Sequence, residues 1–145
     1  MITAALAAAT VLGCGRAQPD VAAARDAAPT RGHLLIVGGG PQPSELVQQF
    51  VDLAGGAGRA RIVVFAMASE YGATSGEEKA EDLRRLGADA RNVFITREQA
   101  NSDSVAQLLD DVTGVWFGGG DQALLTRALQ GTKVEAAIHE RYHAG

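Results

Sequence analysis

The stretch Val115-Trp116-Phe117-Gly118-Gly119-Gly120-Asp121-Gln122 decides the fold class of this chain. Three apolar residues without alternation suit a strand buried on both faces. The glycines then turn the chain, and Asp121 stands where a helix N-cap belongs. Ala123, Leu124, Leu125, Ala128 and Leu129 follow at helical spacing as far as Gly131. A second stretch repeats the pattern. His33-Leu34-Leu35-Ile36-Val37 predicts a buried strand ending in Gly38-Gly39-Gly40, and Ser44 precedes a helix through Leu46, Val47, Phe50, Val51 and Ala54. Between these stretches the same reading predicts strands at Arg61–Ala66 and Asn92–Ile95. It predicts a helix starting at Thr74 or Ser75 and running through Ala80, Leu83 and Leu86, and a short one at Ser102–Asp110. A last helix runs from Thr132 to His143. Strands alternating with helices give an α/β three-layer sandwich with a mainly parallel sheet, because parallel neighbours need crossover connections. The last helix should deliver the chain into another strand, yet the sequence stops at Ala144-Gly145, so the fold is expected to be truncated there.

Composition limits what such a domain does. The chain has 145 residues, 46% of them hydrophobic and 21% charged, which is the balance of one globular domain. Its net charge of −4 lacks the basic excess of a general nucleic-acid binder. A single cysteine makes neither an internal disulfide nor a cysteine-based zinc site. That cysteine, Cys14, closes the uncharged apolar run Met1–Gly13. A short apolar run of small residues is the core of a secretory signal. Val11-Leu12-Gly13-Cys14 is similar to a bacterial lipobox, in which the cysteine is lipidated. The expected division is a signal segment at 1–14, a flexible tether at 15–31 and the α/β domain at 32–145. The protein would then be exported and attached to the cell envelope through Cys14.

The two glycine turns are the candidate site. In open α/β sheets, ligands bind at the carboxyl ends of the strands. Glycine there lets backbone N–H groups approach a ligand without an intervening Cβ. Gly38-Gly39-Gly40-Pro41-Gln42-Pro43 puts proline where a dinucleotide fingerprint needs its third glycine, and no Gly-Lys-Ser/Thr follows either turn. No cofactor is expected. Gly118–Gln122 runs straight into a helix, so free amides of its first turn suit an anionic group or a developing oxyanion.

These features together resemble the cyanophycinases, which belong with peptidase E among serine peptidases of class I glutamine-amidotransferase-like (flavodoxin-like) fold. The resemblance rests on the strand ending Gly38-Gly39-Gly40 and on Met67-Ala68-Ser69. It rests further on Trp116–Gln122, on Leu129-Gln130-Gly131-Thr132 and on the helix ending Tyr142-His143-Ala144-Gly145. It implies that Gly119, Gly120, Asp121 and Gln122 form the oxyanion hole and substrate pocket, with the hole near the amides of Gly120 and Asp121 and with Gln122 facing substrate. Gly38, Gly39 and Gly40 would line the neighbouring strand end. The implied substrate is a peptide, either an aspartate–arginine polymer cut to β-Asp-Arg dipeptides or other aspartyl peptides. A homodimer of the full-length form is compatible with the family. Ala66-Met67 stands where relatives carry a proline. The family's Gly-Thr-Ser-Ala-Gly nucleophile elbow, histidine and acid would all lie beyond Gly145. Ser69 lies in a loop without the marks of an elbow. The chain is therefore expected to be inactive by itself; a non-catalytic envelope lipoprotein module that binds a partner is one alternative.

One other motif competes. His139-Glu140-Arg141-Tyr142-His143 matches His-Glu-x-x-His, whose imidazoles share a zinc ion on one helix face. Against a zinc peptidase stand Arg141 inside the motif and the apolar face of Val134, Ala137, Ile138 and Tyr142, which explains the helix as core-facing.

Overall fold

The structure, a computed structural model, describes residues 30–145. The expected signal segment, Cys14 and nearly all of the expected tether lie outside the described residues. Three parallel strands form the sheet. β1 (Arg61–Phe65) lies at the centre, with β2 (Asp89–Asn92) on one side and β3 (Gly114–Phe117) on the other. Val64 stands opposite both Asn92 and Trp116. The unbroken apolar run Ile62–Phe65 suits this place, because each of its side chains is no more than 1% exposed.

Helices α1 (Ser44–Leu53) and α2 (Gly72–Arg85) cover one face, where Val47, Val51, Ile62, Val64, Ala80 and Leu83 meet. The other face carries α3 (Arg97–Ala100), α4 (Asp103–Ala106), a 3-10 turn at Gln107–Leu109, α5 (Gln122–Leu129) and α6 (Lys133–Ala144). Val63, Phe65, Leu109, Leu129 and Val134 form the core there. The chain thus has an α/β fold with a parallel sheet between two helical layers.

The details depart from the sequence reading in several places, among them the start of α2 at Gly72 rather than at Thr74 or Ser75, and Ser44, which is the first residue of α1 and caps nothing. Residues 33–37 form no strand. Leu34, Ile36 and Val37 are exposed, and nearby backbone bonds run only from Arg31 and Gly32 to the carbonyls of His143 and Tyr142. An apolar run signals burial, but a strand also needs a partner edge, and β3 bonds to β1 alone among the described residues. β2 starts three residues earlier than expected. As an edge strand it accepts the exposed Asp89 and Arg91, which its apolar content does not advertise. Ser102–Asp110 divides into α4 and the 3-10 turn. Finally, α3 has no counterpart in the sequence reading, although Thr96 and Gln99 form a full capping box at its start.

α2 begins at Gly72 because the chain passes hard against the end of β1. A Cβ on Gly72 would lie 1.9 Å from the Ala66 carbonyl oxygen and 2.7 Å from the Phe94 ring. Gly72→Ala should therefore lower stability by about 1–3 kcal/mol, as overpacked sites do. Chemical denaturation of the two forms measures the difference, and an unchanged midpoint would contradict this packing.

Candidate functional site

The turn after β3 is built by hydrogen bonds from the strand beside it. The N–H of Gly118 donates to the Phe65 carbonyl at 2.8 Å, which extends the parallel ladder by one residue. The N–H of Asp121 donates to the Ala68 carbonyl, also at 2.8 Å. The Asp121 carboxylate accepts from the N–H of Ala123 at 2.8 Å and caps α5. The loop after β1 therefore holds the start of α5, and the amide, carboxylate and carbonyl of Asp121, which accepts from the N–H of Leu124, are all engaged in local structure.

This moves the open donors by one residue from the expected pair. The Asp121 amide already has an acceptor, so it is not free to join a hole at Gly120 and Asp121, whereas Gly119 and Gly120 keep open N–H groups. Neither of these N–H groups has an acceptor among the described residues. They stand at the carboxyl end of β3, beside the positive end of the α5 dipole. Gly120 has φ +139°, and a Cβ there would lie 2.2 Å from the Ala68 carbonyl oxygen. Gln122 opens α5 with an exposed side chain, while its carbonyl accepts from the Thr126 hydroxyl at 2.9 Å.

Among the described residues, Gly38 and Gly119 are the two glycines that the fold does not need. Each lies outside the left-handed region and has no atom within 4 Å of the place a Cβ would take. They belong to the two triple-glycine turns. At Gly39 and Gly40 too, no atom lies within 4 Å of the place a Cβ would take. A shallow depression lined by Ser44, Gln48, Asp52 and Leu86 runs along the solvent side of α1, remote from the turn and without its run of free amides.

The other candidate residues lie apart from the turn. The Ser69 hydroxyl accepts from the N–H of Tyr71 at 3.1 Å. No non-glycine residue described has positive φ, so no described serine sits on a strained elbow. His139 and His143 are exposed on α6, and His143 Nδ1 contacts the Thr30 hydroxyl at 3.2 Å. No three His, Cys, Asp or Glu side chains among the described residues are grouped so as to hold a metal ion.

No protein-family model matches the chain. The chain is distantly similar to cyanophycinases. Those of Trichormus variabilis and of a Nostoc species are each 30% identical over 121 residues, which is 80% of this chain and 40% of the relative. This chain thus spans less than half the length of the curated relatives it matches. A crystal structure of a peptidase from an acI-B1 Actinobacterium has the same fold, with a TM-score of 0.60 at 21% identity. That match covers 70% of this chain and 45% of the other.

The turn's construction separates two neighbouring glycines. Gly119→Ala should keep full stability or gain up to about 1 kcal/mol through a stiffer unfolded chain. Gly120→Ala should lose about 1–3 kcal/mol, because the new methyl meets the Ala68 carbonyl at an unfavourable φ. Thermal denaturation of both variants checks this, and equal melting temperatures would refute it.

Proposed function

We propose that this chain is the first part of a cyanophycinase-like serine peptidase, and that it supplies the oxyanion donors rather than the nucleophile. In this reading a serine hydroxyl from the rest of the polypeptide adds to an aspartyl peptide carbonyl. The carbonyl π electrons move onto oxygen, and the N–H groups of Gly119 and Gly120 hold that oxyanion. The amine then leaves with a proton, and water hydrolyses the acyl-enzyme. Such donors matter because their loss costs about 10²–10³ in rate. The observation that carries the reading is the pair of unbonded amides at the carboxyl end of β3, in a chain with distant cyanophycinase similarity. The preferred substrate is the aspartate–arginine polymer, released as β-Asp-Arg, with other aspartyl peptides second. Export and attachment through a lipid on Cys14 complete the proposal.

Two measurements test it. The 145-residue chain incubated with the polymer should release no dipeptide, whereas the protein isolated from its source should release β-Asp-Arg. Gly119→Ala in the source-length protein should cut turnover without loss of stability, by placing a methyl group where the oxyanion would sit. Turnover by the 145-residue chain alone would overturn the reading, as would a source protein inert towards both the polymer and other aspartyl peptides. For the anchor, metabolic labelling with palmitate should mark the protein and vanish in Cys14→Ser. Unlabelled wild-type protein would remove the anchor and leave the enzymatic reading intact.

A further inference from the structure

α6 carries a motif that the proposed function leaves unused. His139 and His143 stand four residues apart inside this 12-residue helix, so they are neighbours on one row of its surface. Both are exposed. The core side of α6 is made by Val134, Ala137 and Ile138, which pack into the cluster with Leu109 and Leu129. At about 100° per residue, the midpoint of the two histidines lies roughly opposite that side. The pair therefore faces away from the core, and its exposure follows from the helix period.

The charges around the pair favour a cation. Arg141, which counts against a zinc peptidase, stands about 180° round the helix from the midpoint of the pair. Its charge thus projects from the far side of α6. Glu140 borders the pair, is exposed, and makes no ion pair among the described residues. Glu135 shares the row of the histidines, one turn earlier, but its carboxylate accepts from the N–H of Gly131 at 2.7 Å. His143 is also oriented from outside the helix. Its Nδ1 lies 3.2 Å from the Thr30 hydroxyl. With Nδ1–H donating to that oxygen, Nε2 keeps its lone pair for a ligand. Metal-bound histidines are commonly held in this way, through the ring nitrogen that does not bind the metal.

We propose that His139 and His143 form an open site for a divalent transition-metal ion, bound through two imidazole nitrogens with water in its remaining positions. Imidazole suits copper, nickel and zinc, and Cu²⁺ binds most tightly in that series. The two rings act as a chelate, because the first bond brings the second ring to high effective concentration. A catalytic zinc ion takes three protein ligands. No third His, Cys, Asp or Glu among the described residues joins these two. The site therefore holds an ion and ties two adjacent turns of α6 together, apart from the glycine turn. Nothing in this inference depends on the peptidase reading.

Calorimetric titration of the source-length protein with Cu²⁺ tests it. His139→Gln and His143→Gln should each weaken the same binding event by at least about 100-fold, the loss expected when a bivalent contact becomes a single one. Both side chains are exposed, so the substitutions should leave the fold intact. Weakening in one variant alone, or in neither, would overturn the pair. A second measurement needs no variant. In the unsubstituted protein, Cu²⁺ should slow hydrogen exchange at the amides of residues 139–144, because an ion bound only by the folded helix opposes its opening. Unchanged exchange there would also overturn the proposal.

Discussion

The whole arrangement hangs on the burial of one five-residue strand. β1 is covered on both faces by helices and on both edges by strands, and its four apolar side chains are almost wholly removed from water. Each such side chain contributes about 1.5–3 kcal/mol when buried. The strand also sets the position of later segments. The Phe65, Ala66 and Ala68 carbonyls are the points against which the turn after β3 and the first turn of α2 are set. The position of the open amides at Gly119 and Gly120 is thus inherited from β1, two crossovers earlier in the chain.

Much of this was legible in the sequence, and the reason is local. Runs such as Ile62–Phe65 and the cap at Asp121 carry their signal within a few residues, and the Asp121 side chain accepts the expected backbone hydrogen bond. Two of the misreadings concern matters decided by residues far apart in the chain, whereas α3 was missed although its capping box at Thr96 and Gln99 is local. Val93, Phe94 and Ile95 look more strand-like than Asp89–Asn92, but pairing with β1 selects the polar segment. Leu34–Val37 has the composition of a strand and lacks a bonded neighbour. The site shows the same division. The glycine turn was readable, whereas the engagement of the Asp121 amide was not, since its acceptor is 53 residues away at Ala68.

The turn also shows how a backbone site differs from a side-chain site. Two N–H groups provide polarisation and orientation, and they carry no proton that titrates near neutrality. Such a turn holds charge that chemistry elsewhere creates. In the proposed function it is one component of a hydrolytic apparatus, with proton transfer and nucleophilic attack assigned to other groups.

Trp116, the chain's single tryptophan, has a consequence of another sort. The Phe50 ring of α1 meets its indole edge-on at 5.2 Å, and the Lys79 ammonium of α2 lies over it. One chromophore is thereby clasped between the first two helices and the third strand. Its emission is a private optical channel to that junction, undiluted by any other indole, and it reports whether the three elements are still assembled.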